Sequence, residues 1–185
     1  MDKLLTISLA VLCAWPLAAG DGIQYQLNGR ATQPGKSLKD IGFSRTGAGG
    51  GFAVLVGKEA MRLRVRLDGD SFPADGGRVA MNNYGLGADG LLTLAPDSAF
   101  HPTISAGVVL QKWRMGSEGT YDQATGLGNR GTYNGSTGLL KLAVRAEAGI
   151  QYKERFALYV GMLTGRIGWD RRARCPYVGF SVNIL

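Results

Sequence analysis

Beyond residue 20 the chain is built of short segments in which apolar and polar residues alternate with a period of two. Two is the period of a strand, because successive side chains point to opposite sides of the pleat. The cleanest case is Met61, Leu63, Val65 and Leu67 interleaved with Arg62, Arg64, Arg66 and Asp68. The same alternation predicts eight strands in all: Ile23 to Asn28, Gly49 to Val56, Met61 to Asp68, Val79 to Leu94, Thr103 to Met115, Leu140 to Gln151, Phe156 to Trp169 and Tyr177 to Ile184. Two of them are less clear. Val108-Val109-Leu110 is continuously apolar, and Leu139, Leu142, Ala143, Ala146 and Ile150 also fall on one face of a helix. Strand patterns on both sides of that last segment favour a strand.

The connections alternate as well. The first, third, fifth and seventh are long or polar, ending respectively near Gly47, Gly77, Gly138 and Pro176, whereas Gly57-Lys58-Glu59, Pro96 to Pro102 and Lys153-Glu154-Arg155 are shorter turns. Short turns at one end and longer loops at the other suit an up-and-down barrel in a membrane, with both chain ends on the short-turn side. The expected fold is therefore all-β: an eight-stranded antiparallel up-and-down transmembrane β-barrel.

The first twenty residues supply a reason to expect a membrane. Lys3 gives a basic start, Leu4 to Leu17 is largely apolar, and Ala18-Ala19-Gly20 are the small residues that a signal peptidase accepts. Residues 1–20 are expected to be a cleaved secretory signal, and residues 21–185 a single outer-membrane barrel domain. Cleavage near Ala19 or Gly20 would discard Cys13 and leave Cys175 without an intramolecular partner, and no role is assigned to that thiol. No later apolar run approaches the roughly 20 residues of a spanning helix, so insertion would use strands.

Composition agrees: 29 of 185 residues are Gly, which suits tight turns and a crowded barrel interior better than a helical bundle. A soluble lipocalin-like barrel uses the same alternation with the faces exchanged, its apolar side packed inward. For the membrane version, inward arginines need acids, because unpaired buried charge is strongly unfavourable. Asp68, Asp89 and Glu147 each lie on the polar face of a strand, so the expected lumen network is Arg62, Arg64, Arg66, Lys141 and Arg145 with those three acids.

The segments Leu63-Arg64-Val65-Arg66-Leu67 and Tyr84-Gly85-Leu86-Gly87-Ala88-Asp89, the closing Tyr177 to Leu185 and the leader together resemble the small eight-stranded outer-membrane β-barrel proteins, the group that includes the OmpA transmembrane domain, OmpX and OmpW. The resemblance spans essentially the whole chain after residue 20. It implies the outer membrane of a Gram-negative bacterium, a monomer, insertion by the barrel assembly machinery and contact with outer-membrane lipid. The chain departs from the family in ending on Leu185 where an aromatic residue is usual, which bears on assembly more than on fold.

Candidate chemistry is sparse. The single histidine, His101, is expected in a periplasmic turn between Phe100 and Pro102 with no paired acid, and so not catalytic. No His/Cys grouping has metal-ligand spacing, and Gly47 to Gly51 lacks the lysine of a phosphate loop. No metal or cofactor is expected. The net charge of +7 survives loss of the leader, which removes one acid and one base. Export makes nucleic acid an unsuitable partner, and lipopolysaccharide phosphates are the nearer anions. Arg166, Arg171, Arg172 and Arg174, with Lys112, Arg114 and Arg130, lie at expected outer strand ends or in outer loops where they could contact them. The function expected is that of a non-enzymatic barrel serving envelope integrity or surface interaction, its lumen filled by charged side chains. Its alternatives are a small-solute, porin-like channel and a soluble periplasmic binding barrel.

Overall fold

The computed structural model describes residues 22–58, 60–75, 80–115, 140–167 and 172–184. The leader, the long connection 116–139, Arg130 and Arg171 lie outside these residues. Eight strands follow one another: β1 (Ile23–Thr32), β2 (Gly47–Lys58), β3 (Met61–Pro73), β4 (Ala80–Thr93), β5 (Phe100–Met115), β6 (Lys141–Tyr152), β7 (Phe156–Arg166) and β8 (Arg172–Asn183). One helical turn, α1 (Lys36–Lys39), interrupts the connection from β1 to β2. Each strand pairs antiparallel with its sequence neighbours, and β1 pairs with β8 from Gln26↔Asn183 to Thr32↔Tyr177, closing the barrel without an edge.

The polarity is inverted relative to a soluble protein. Leu63, Leu67, Ile104, Val108, Leu142, Leu158, Val178 and Phe180 point out and are 46–72% exposed, while Arg30, Arg64, Arg66, Asp70, Asp89 and Arg145 point in and are at most 6% exposed. A water-soluble barrel would reverse these faces; a lipid-facing one requires them. No helix among the described residues is long and apolar enough to cross a membrane, so any crossing belongs to the strands. The two ambiguous segments obey the strand period. On β5, Val109 is buried between exposed Val108 and Leu110; on β6, Ala143, Arg145 and Glu147 are buried between exposed Leu142, Val144, Ala146 and Ala148.

Four strands, β1, β2, β3 and β8, run further toward the long-loop end than the sequence suggests. β1 continues through Gly29 and Arg30 to Thr32, and β3 continues to Pro73 across residues that read as loop. Glycine and charge suggest a loop in isolation, yet inside a closed barrel neighbouring strands satisfy the backbone and a charge can turn into the lumen. β5 begins at Phe100, so His101 is not in a turn, and β8 begins at Arg172, so the segment through Pro176 is strand and not a basic loop. β7 ends at Arg166, short of Trp169.

At the short-turn end, Lys153 and Glu154 both take left-handed φ values of 45° and 56°, and the Arg155 amide donates to the Tyr152 carbonyl at 3.0 Å. Two left-handed residues in sequence give the reverse turn whose twist matches that of the strands it joins. Phe100, Tyr152 and Phe156 project outward beside it, with the Phe100 and Tyr152 rings 4.9 Å apart.

Candidate functional site

Inward positions of five strands converge on one charge cluster midway along the lumen. From β1, Arg30 grips Asp70 of β3 with two parallel bonds, Nε to Oδ1 at 2.7 Å and Nη2 to Oδ2 at 2.6 Å, and reaches Asp68 at 3.1 Å. Thr32 donates to the same Asp70 carboxylate at 2.9 Å. From β3, Arg64 contacts Asp89 of β4 at 3.3 Å, Ser105 of β5 at 2.9 Å and Glu147 of β6. Arg66 lies 2.7 Å from Glu147, 3.0 Å from Asp89 and 3.4 Å from Asp68. From β6, Arg145 reaches Asp68 at 2.9 Å. Four guanidinium groups thus share four carboxylates, Asp68, Asp70, Asp89 and Glu147, and the cluster is neutral as a whole. Neutrality and bidentate geometry are what make so much buried charge tolerable.

Of the residues expected in a lumen network, Arg64, Arg66, Asp68, Asp89, Arg145 and Glu147 are brought together. Arg62 stands apart toward the short-turn end, donating to Gln24 at 2.8 Å and lying 3.6 Å from Glu154. Lys141 is on the inward face of β6, four residues beyond Arg145 toward the long-loop end and opposite Gln111 in the register. Sequence reasoning missed Arg30, Asp70, Ser105 and Tyr177, whose hydroxyl donates to Glu147 at 2.8 Å and whose ring lies 5.3 Å from the Arg30 guanidinium carbon. A usable signal existed for two of them, since Arg30 and Asp70 keep the parity of Gln26 and Arg66 on their own strands.

Inward glycines make this packing feasible. A Cβ on Gly161 would sit 2.4 Å from the Tyr177 ring, and one on Gly107 would sit 2.1 Å from the Ala88 carbonyl oxygen and 2.5 Å from an Asp89 carboxylate oxygen.

Apolar packing closes the lumen on the long-loop side of the cluster. Phe72 and Trp113 stack with centroids 5.9 Å apart, and Leu38, Ile41 and Phe43, from α1 and the residues after it, are buried with them. This connection is pinned from outside: the Asp75 amide donates to the Gly42 carbonyl at 2.9 Å, and the Ser44 amide and hydroxyl both donate to the Asp75 carboxylate. Those Ser44 bonds hold the Asp75 carboxyl below its ordinary range. On the other side of the cluster, Gln26, Arg64, Ser105, Gln151 and Ser181 border a cavity of about 20 Å³, room for one water.

His101 points into the lumen, 4% exposed, and its Nδ1 lies 3.0 Å from the Ala95 carbonyl oxygen, to which it donates. That is its only hydrogen bond among the described residues, and no group of His, Cys, Asp and Glu there could hold a metal. Cys175 is buried and unpaired.

The second candidate feature lies outside the barrel. Arg166, Arg172 and Arg174 are exposed on the outward face, Arg166 directly opposite Arg172 and Thr164 opposite Arg174 in the β7–β8 register. Lys112 and Arg114 take the last outward positions of β5 whose side chains are described. On that strand, Phe100 to Leu110 is ten residue steps; at about 3.4 Å per step and a tilt near 40°, the apolar band below the basic residues is about 26 Å tall.

No protein-family model matches the sequence, and no curated protein sequence matches it. Solved structures do match. Neisserial surface protein A (NspA) superposes with a TM-score of 0.59 at 14% identity, over 89% of this chain and 98% of that one. The outer membrane enzyme PagL superposes with a TM-score of 0.57 at 13% identity, over 86% and 99%. The outer membrane protein OprG from Pseudomonas aeruginosa aligns over 88% and 96% at 10% identity, with a TM-score of 0.49. The fold is that of the small outer-membrane β-barrels.

Proposed function

We propose that this chain is a non-enzymatic barrel in the outer membrane of a Gram-negative bacterium, monomeric and inserted by the barrel assembly machinery, that contributes to envelope integrity and holds lipopolysaccharide phosphates at its basic outer rim. The observation that carries the reading is the closed lumen beneath an apolar exterior. A neutral cluster of eight charged side chains and an apolar plug follow one another along the axis, while a band about 26 Å tall matches a bilayer's hydrocarbon thickness there. Short turns then face the periplasm and the basic rim faces the outer leaflet.

The plugged axis weighs against a solute channel, and the outward leucines and valines weigh against a soluble binding barrel. An outer membrane enzyme is among the structures of like fold. In this chain the one histidine is turned into the lumen, away from any lipid substrate, and hydrogen-bonds a carbonyl where a general base would need a carboxylate partner.

Planar-bilayer recording of the purified, refolded protein tests the lumen half of the reading. No steady conductance is expected, and a reproducible open level would overturn it. The rim half is tested by titrating the protein in detergent with lipopolysaccharide at rising salt. Affinity should fall as ionic strength grows, and an affinity indifferent to salt would remove the phosphate contacts.

A further inference from the structure

The lipid-facing wall is not smooth. Across β6, β7, β8 and β1 a hollow of about 1260 Å³ begins at Phe100, Tyr152 and Phe156 near the short-turn end. It continues into a second hollow of about 590 Å³ that reaches Gln33, Thr46 and Pro176, the two sharing Ala31, Ala148, Val160 and Val178. Small outward residues lie along the two flanks of this furrow, Gly29 and Ala31 on β1 and Ala146 and Ala148 on β6, with Val160 and Val178 between them on β7 and β8. The Phe180 ring leans over Gly29 so closely that a Cβ there would meet it at 2.9 Å. Together the hollows exceed the roughly 300–1,000 Å³ of a pocket for a drug-sized ligand, which is room for several acyl chains.

The upper end of the furrow is charged. Beyond Pro176 the next outward residue on β8 is Arg174, about 7 Å further along the strand, and then Arg172 with Arg166 opposite it. No ion pair involves any of the three among the described residues, in contrast to the arginines of the lumen. A long apolar trough that ends in guanidinium groups with no described acidic partner has the polarity of one ligand class, a lipid with several chains and a phosphorylated head.

We infer that the furrow binds one molecule of outer-leaflet phosphoglycolipid, its acyl chains lying over Ala31 and Ala148 and its phosphates held by Arg166, Arg172 and Arg174. This rests on the rim reading above and extends it from a diffuse charged belt to a single built site. A second copy of the chain is the competing occupant. Two copies related by a two-fold axis along the membrane normal would meet through this same face and bring both arginine clusters together at the same height, which like-charge repulsion opposes.

The test uses the full protein in detergent micelles and purified deep-rough lipopolysaccharide as probe, with bound glycolipid counted by native mass spectrometry. Ala31→Trp and Ala148→Trp fill the furrow. Ala88→Trp and Val65→Trp place the same bulk on the outward faces of β4 and β3, outside it. Retention of the heat-sensitive electrophoretic shift reports folding, and Ala148→Ile replaces either furrow variant that loses it. Expected is one glycolipid per wild-type barrel, an affinity about tenfold weaker in the furrow variants, and no change in the two controls. An unchanged affinity in the furrow variants, with loss only in R166Q/R172Q/R174Q, would overturn the furrow site and leave the rim reading standing. Unchanged affinity in both sets would overturn both. A dimer in the wild type that the furrow variants abolish would assign the face to self-association instead.

Discussion

Glu147 sits where the lumen cluster is most tightly coupled, touching Arg64, Arg66, Ser105 and Tyr177 at once. Neutralising it leaves two buried guanidinium groups to share Asp89 and Asp68 with Arg145, and the cavity beside Arg64 has room for only one water. Glu147→Gln is therefore expected to destabilise the barrel by about 3–5 kcal/mol, the range for removing one partner of a buried pair. Adding Arg64→Met should recover part of the loss, and urea unfolding in vesicles through the double-mutant cycle measures it; a coupling near zero would dissolve the cluster as an energetic unit. Gly161 is a steric counterpart. Its missing Cβ is where the Tyr177 ring lies, so Gly161→Ala should displace that ring from Glu147 and cost about 1–3 kcal/mol in the same unfolding assay. The acids that answer Arg64, Arg66 and Arg145 were legible in the sequence because all of them sit on strands with unbroken alternation. Arg30 and Asp70 keep the inward parity too, but Gly29 and Gly69 precede them and obscure that signal, because a glycine beside a charge looks like a turn until the neighbouring strand is known.

At the scale of elements, the connection from β1 to β2 is the least predictable part of the described chain and one of the most consequential. Its Gly, Lys and Ser content reads as an open loop, yet it contributes α1 and buries Leu38, Ile41 and Phe43 in the mouth of the lumen. Three apolar residues without a period give no sequence signal, since their common direction is set by the barrel wall they land on. The connection is tethered through Ser44 to Asp75, whose carboxyl is lowered by those hydrogen bonds. A lowered carboxyl contributes its stabilisation at pH above its unfolded value and loses it as pH falls through the folded value. Hydrogen-exchange protection of the Ser44 amide should thus be constant from neutral pH down to about 4 and fade below it. Asp75→Asn should weaken that protection already at neutral pH, and equal protection in the variant would mean that the plug holds itself. Strand existence, by contrast, was legible throughout: even Val108-Val109-Leu110 and the helix-compatible stretch from Leu139 to Ile150 took the period of two that their neighbours imposed.

For the whole molecule, the alternation of long and short connections carried the topology, because eight strands joined in that order have few arrangements besides a closed meander. The same order decides what lies outside. With the inward positions filled by charged, polar, glycine and packed apolar residues, the outward leucines, valines and phenylalanines have no partner among the described residues, as a lipid-facing wall requires. Position on the wall should then set the cost of a charge. Val65 lies outward on β3, paired with Val54 and Ala88 well inside the apolar band, so Val65→Arg should cost roughly 2–4 kcal/mol if the bilayer midplane falls there. Leu142→Arg, closer to the outer end of β6, should cost less, because its side chain can reach toward headgroups. Asp97→Arg, exposed in the turn between β4 and β5, should stay within about 0.5 kcal/mol of the wild type. Reversible urea unfolding in phospholipid vesicles, followed by tryptophan emission, places the three on one scale. The order Val65 above Leu142 above Asp97 is the signature of a depth-dependent lipid environment. Equal penalties at Val65 and Asp97 would mean that the apolar face meets something other than a bilayer.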